Sequence, residues 1–318
     1  MPVVPAPPLT RIGVNPACVE VCYFHGNCHD GACAAALLKA AAAPHCMFVP
    51  CWWESADPSK CVGRTVVFLD LTPVPELLSR VSDVAKETFV VDHHESAQDV
   101  LVRMLTPHQY LYDNRECGAS LVWRWLQTWA LVPAVGPPPV LPYVRALDLF
   151  DWSDLEAEGV ADAMRVSRAL EMRTEPMLAK FEEILGQGQG YIDSLRAGLS
   201  ITDEIVENQI NKSVSSAVLK SLARYPHVRV AVINTQNFLN HVAHRLRSTL
   251  PVQLVWLWYF HGPSHRVRVM LRAYGKFDCH MYAKDFDGGG HAGAASFTCE
   301  YNAMWHHFHG RIASAMWG

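Results

Sequence analysis

Phe89-Val90-Val91-Asp92-His93-His94 decides how this chain is read: three apolar residues run directly into a carboxylate and two imidazoles. A short apolar, β-branched run bounded by polar residues reads as a buried strand. The pattern recurs upstream. Cys18 to Phe24 is a strand by the same reasoning, followed by a polar turn from His25 to Gly31. Val66 to Leu69 is another, and it closes on Asp70. Ala32 to Ala43, rich in Ala and Leu and free of β-branched residues, is helical by propensity and stops before Pro44. A turn at Thr72-Pro73 leads into a further helix. Strands alternating with helices predict an α/β fold with a parallel sheet covered on both faces. Ligands of such sheets bind beyond the carboxyl ends of the strands. The three polar clusters are therefore expected to converge on one crevice.

Downstream, Cys117 to Ala130 is a Trp-rich helix, Val132 to Pro142 a proline-rich loop, and Tyr143 to Leu149 a helix carrying Asp148. Residues 160–185 are helical and are punctuated by the Gly-Gln-Gly-Gln-Gly run at 186–190. Residues 191–222 are polar and helix-prone, the expected connection to a second α/β pattern. That pattern has strands at 228–233, 252–260 and 266–272, a helix at 238–246 and a Gly-rich turn from Asp287 to His291. The division expected is 18–190, a linker at 191–222, and 223–318.

Half of the 318 residues are hydrophobic and 18% are charged, enough to bury a large core. The formal net charge of −4 excludes the strongly basic shell that grips long duplex nucleic acid. The ten cysteines include no Cys-x-x-Cys pair, and Met1 to Thr10 lacks the basic-then-apolar pattern of a secretory signal. Apolar runs such as Val252 to Phe260 fall short of the ~20 residues a membrane span needs. A cytoplasmic protein with free thiols and no membrane partner is the expectation. Trp123, Trp125 and Trp129 read as core. The Trp52-Trp53 pair is ambiguous between packing and stacking on a base. Sixteen histidines invite a search for metal.

Four clusters carry the chemistry: His25 to Gly31, Asp70, Asp92-His93-His94, and Asp148. Hard divalent cations favour carboxylates, and Mn²⁺ accepts imidazole as well. Two such ions about 4 Å apart can clamp a phosphate and activate water. Each residue alone has a plainer reading: Asp30 as a turn residue, Asp70 as a helix cap, Asp148 as a solvated helix position. Their joint arrangement is what points to a site.

Val90-Val91-Asp92-His93-His94 resembles the signature of the DHH phosphoesterase superfamily, which holds RecJ-type nucleases, oligoribonucleases, cyclic-dinucleotide phosphodiesterases, exopolyphosphatases and manganese pyrophosphatases. Gly288-Gly289-Gly290-His291, with Ala294 to Phe297 behind it, is similar to the hallmark of that family's C-terminal associated domain. Asn240 to Leu246, Val269 to Arg272 and Cys117 to Ser120 match in order, so the resemblance spans about residues 18–300. It implies a parallel-sheet DHH domain and a smaller α/β domain, with the active site in the cleft between them.

The resemblance also implies roles. One metal takes His25, the other Asp30 and His93, with Asp70 and Asp148 shared. Asp92 orients His93 through its second ring nitrogen, and His94 contacts the scissile phosphate. Gly288, Gly289 and Gly290 bring backbone N–H groups to phosphate, His291 and Arg272 add charged hydrogen bonds, and Asn240 is a further substrate contact. Cys28 stands where many members have an aspartate. As a thiolate ligand it would move the site from Mn²⁺ toward Zn²⁺ or Fe²⁺; as a spectator it would leave that site weak. The expected cofactor is a divalent metal, one ion or two, Mn²⁺ ahead of Mg²⁺, Zn²⁺ or Fe²⁺. The expected activity is hydrolysis of phosphodiester bonds in short oligonucleotides or small nucleotides by metal-activated water. Alternatives are an exopolyphosphatase-like hydrolase and a non-catalytic phosphate-binding scaffold. A homodimer is the family expectation for assembly.

Overall fold

Val, Phe, Tyr and Leu dominate five short strands: β1 (Val21–His25), β2 (Met47–Cys51), β3 (Thr65–Leu69), β4 (Glu87–Asp92) and β5 (Tyr110–Tyr112). In the computed structural model, which describes residues 12–42, 44–132, 136–198, 201–261, 266–273 and 275–308, they pair in parallel in the order β2-β1-β3-β4-β5. Met1 to Thr10 and part of the proline-rich loop lie outside the described residues. Every residue of β3 is buried, as a strand covered on both faces requires.

Strict alternation sends side chains to two cores. Cys22, Phe24, Val67, Leu69 and Val91 meet α1 (His29–Lys39), α4 (Gly118–Thr128), α5 (Leu141–Leu149), α6 (Ala157–Met172), α7 (Met177–Gln187) and α8 (Gln189–Ala197). Val21, Tyr23, Val66, Phe68 and Val90 meet α2 (Pro75–Val84) and α3 (Gln98–Met104). Trp123 and Trp125 are core residues, as expected, and the indole N–H of Trp125 donates to Val14 O at 3.0 Å.

The chain passes from β1 outward to β2, then returns to place β3 on the other side of β1. Such a switch opens a crevice at the carboxyl ends of the two flanking strands. His25 and Asp70 stand there.

Two local expectations change. The polar turn after β1 is only Gly26-Asn27, and α1 begins at His29 with Cys28 as its N-cap. Asp30 thus lies in the first helical turn, where a carboxylate suits the positive end of the helix dipole. The helical pattern over 160–185 is two helices, because Pro176 ends the run and becomes the N-cap of α7. Lys180 is buried across the break and donates to Leu170 O and Arg173 O at 2.8 and 2.7 Å.

The chain divides into two compact units, 1–148 with 152–195, and 149–151 with 196–318. The second contains α9 (Ile201–Ser215), β6 (Val218–Ser221), β7 (Arg229–Asn234), α10 (Leu239–Thr249), β8 (Leu254–His261), β9 (Arg266–Ala273), α11 (Cys279–Lys284), β10 (Gly289–Gly290), β11 (Ala294–Glu300) and α12 (Tyr301–Met304). Its mixed sheet runs β10-β11-β9-β8-β7-β6, with β7 and β8 parallel and the other neighbours antiparallel. Trp256, Leu271, Tyr282 and Phe297 centre its core. The helix-prone connection ends in a strand, β6, because Val218 to Ser221 pairs with β7. Among the described residues no helix is long and apolar enough to cross a membrane.

Candidate metal centre

His25 is the last residue of β1, and Asp70 follows β3 directly. Asp70 has φ +56°, a left-handed conformation that strains a residue with a Cβ. The strain is held by its N–H bonded to Val91 O at 2.8 Å, and it turns the carboxylate inward rather than along the chain. Oδ2 then lies 3.2 Å from His25 Nδ1 and Oδ1 2.9 Å from His93 Nε2. One buried carboxylate thus faces two imidazoles from two strands. It is no helix cap: α2 is preceded by Val74, which makes no side-chain cap.

Asp30 reaches across to the start of α4. Its oxygens accept from the N–H of Gly118 and, at 2.8 Å, from the N–H of Ala119. Free N–H groups at a helix N-terminus are a natural anion cradle. Only glycine fits at 118: a Cβ there would stand 2.8 Å from Asp70 Cβ and 2.9 Å from Asp30 Oδ2. His93 Nε2 completes the group, 3.4 Å from Asp30 Oδ2 and 3.6 Å from Asp148 Oδ2. Asp148 sits on the last turn of α5, half-buried and not on a solvated face.

Asp92 plays a different part from the one expected. Its Oδ1 accepts from the backbone N–H of His93 and His94 and lies 2.7 Å from His94 Nδ1, while the His93 ring faces Asp70. A short Asp side chain bonds readily to the chain just ahead of it, which accounts for the two backbone bonds. Thr72 Oγ1 donates to Asp92 Oδ2 at 2.6 Å. Thr72 escaped the sequence reading, since nothing in Asp70-Leu71-Thr72 marks it apart from a turn residue.

The electrostatics follow from burial. Desolvation, with Asp70 and Asp148 nearby, pushes the Asp30 carboxyl well above the usual range. Desolvation pushes Asp70 the same way, but hydrogen bonds to His25 and His93 outweigh it and hold Asp70 well below that range. Burial opposes charge on His93, yet Asp148, Asp70 and Asp30 together raise it well above an ordinary imidazole. His94 is raised against burial by Asp92. Three carboxylates thus crowd round a single imidazole.

That donor set fits divalent cations. Ligand atoms of Asp30, His93 and Asp148 lie within 4.8 Å of one another, as do those of Asp70, Asp92, His93 and His94. A third group, His25, Cys28 and Asp70, meets the same limit and brings the Cys28 sulfur among the ligand atoms. Burial, then Asp70, Asp148 and Asp30, raise that thiol well above its ordinary value when no cation is present. The buried clusters could hold a metal, with carboxylate oxygen, imidazole and one sulfur as donors.

The remaining candidates lie in the second unit. Arg272 Nε donates to Asn240 Oδ1 at 3.0 Å, and its guanidinium sits 5.4 Å over the Phe150 ring. His291 is buried and its N–H donates to Ala294 O at 2.6 Å. Gly288 and Gly290 are required by the tight β10–β11 hairpin, where a Cβ would fall 2.3 Å from Ser296 O or 2.4 Å from Ala294 O. Gly289 meets no such limit.

No family model matches this chain, and none of the curated proteins does. Solved structures do. The DHH domain of a member of a ribosomal-protein family is 14% identical, with TM-score 0.50 over 88% of this chain and 83% of that one. An exopolyphosphatase-related protein from Bacteroides fragilis is 13% identical, with TM-score 0.49 over 88% and 86%. A pGpG-specific phosphodiesterase from Vibrio cholerae is 10% identical, with TM-score 0.46 over 90% and 95%.

Proposed function

We propose that this chain, which has the fold of a DHH domain, is a metal-dependent phosphoesterase acting on phosphodiester bonds of short oligonucleotides or small nucleotides. The observation that carries the reading is Asp70, whose two oxygens address His25 and His93 separately. A carboxylate used in this way suits a bridge between two cations. His25, Cys28 and Asp70 would hold one ion; Asp30, His93, Asp148 and Asp70 would hold the other. Divalent ions held there supply charge neutralisation at phosphate and a water that is nucleophilic near neutral pH.

The chain's own groups do the rest. The N–H groups of Gly118 and Ala119 fix Asp30, so its carboxylate cannot swing away. Asp92, itself held by Thr72, accepts a hydrogen bond from His94 Nδ1–H and leaves Nε2 to address a phosphate oxygen. With the imidazole proton affinity raised by Asp92, Nε2 would hold a proton toward that oxygen and steady the charge that builds on it. In the second unit Arg272, His291, Asn240 and the Gly288 to Gly290 backbone are the candidate phosphate contacts.

The test is turnover of bis-p-nitrophenyl phosphate with Mn²⁺, Mg²⁺ or Zn²⁺. His93→Ala and Asp148→Ala should each fall below about a tenth of the wild-type rate, a barrier change above ~1.4 kcal/mol, with circular dichroism unchanged. Wild-type protein that neither retains metal on purification nor turns over any phosphodiester would refute the proposal.

A further inference from the structure

Trp52 and Trp53 are exposed at 47% and 42%, unusual for the largest apolar side chains, and they sit together where β2 ends beside β1. They are not loose. The N–H of Trp52 donates to Ser55 Oγ at 2.8 Å, Ser55 N–H returns to Trp52 O at 3.0 Å, and Val74 N–H donates to Trp53 O at 3.0 Å. The Trp52 ring lies so close to Gly26 that a Cβ there would be 3.0 Å from it. Trp53 meets the His25 ring edge-on, centroids 5.0 Å apart, and His25 in turn lies 5.9 Å from His94. Two indoles are thus fixed at the rim of the candidate metal centre while much of their surface stays in water.

From this we infer that Trp52 and Trp53 form a platform on which the base of a nucleotide stacks while its phosphate occupies the centre beside His25. The inference rests on the phosphoesterase reading and narrows its substrate class. An indole stacks on any base, because every base has a π-face. Polyphosphate or pyrophosphate has no such face, so the pair adds nothing to their binding. The platform selects nucleoside-bearing phosphates over inorganic ones, and it does so without preference among bases.

Binding of 5′-AMP, a product rather than a substrate on this reading, is compared with ribose 5-phosphate by titration calorimetry on the Mn²⁺-loaded full chain. The wild type should bind 5′-AMP about tenfold more tightly than ribose 5-phosphate, a gap of ~1.4 kcal/mol. Trp53→Ala and Trp52→Ala should close the gap without weakening ribose 5-phosphate, and Trp53→Phe should keep most of it. Equal affinity for both ligands in the wild type, or a gap that survives both alanine variants, overturns the platform alone. Absence of binding by either ligand overturns the platform and the phosphate site together.

Discussion

Asp70 is caught between a strained backbone and two imidazoles, and Gly118 is the neighbour that makes room for it. This gives a prediction whose sign is decided by packing. Alanine in place of glycine near a helix start ordinarily gains from helix propensity, by up to ~1 kcal/mol. At position 118 the new methyl would press on Asp70 Cβ at 2.8 Å, with Asp30 Oδ2 at 2.9 Å and Asp70 Cα at 3.3 Å. Overpacking of this kind costs about 1–3 kcal/mol. Gly118→Ala should therefore lower stability in urea unfolding and weaken Mn²⁺ binding in the same variant. A stabilised variant with unchanged metal affinity would show that Asp30 and Asp70 do not depend on this close approach.

Elements show where sequence reasoning succeeds and where it stops. Strands β1, β3 and β4 are legible because apolar runs end on polar residues, and the same runs place His25, Asp70 and Asp92 at the strand ends. The ring partner of Asp92 is not legible, since His93 and His94 are adjacent and only the turn after β4 decides which imidazole faces Asp70. Helix α11 is hidden for another reason. Its six residues carry no apolar stripe of useful length, and Asp278 starts it by accepting from Met281 N–H at 2.9 Å. The segment after α12 brings its own consequence. His307 packs among Trp256, Phe286 and Phe297, and its Nδ1 lies 2.7 Å from the Tyr282 hydroxyl. Burial, with His306 adding to it, lowers its pKa to about 4. The folded state therefore prefers the neutral ring, and the unfolded chain takes up the proton first. Stability from this group is complete above pH ~6.5 and is lost as pH falls toward 4, with a limiting slope of about 1.4 kcal/mol per pH unit. Denaturation of the wild type against His307→Gln should show the two stability curves converging as the pH drops through that window. Parallel curves would contradict the half-buried neutral imidazole.

At the scale of the whole molecule, charge is unevenly divided. Asp and Glu outnumber Lys and Arg before residue 196, and the reverse holds after it, although the net charge is only −4. The basic excess follows the second unit, which carries Arg272 and the Gly-rich turn. An anionic substrate held partly by that excess releases counterions on binding. KM for a short oligonucleotide should rise between 50 and 200 mM salt, by about an order of magnitude if two or three phosphates are neutralised, while kcat changes little. A salt-independent KM would mean that the basic half contributes no phosphate contact. The first unit, by contrast, gathers Asp30, Asp70 and Asp148 round His93, where burial pushes the carboxyls of Asp30 and Asp148 up.

That Asp70 links two cations is tested most directly by anomalous diffraction at the manganese edge from crystals grown with Mn²⁺. Two peaks are predicted, both in contact with the Asp70 carboxylate, one beside His25 and the other beside His93. Data of adequate quality with no peak at Asp70, or with a manganese ion bound elsewhere and the Asp70 pair of imidazoles left as they are here, would contradict it.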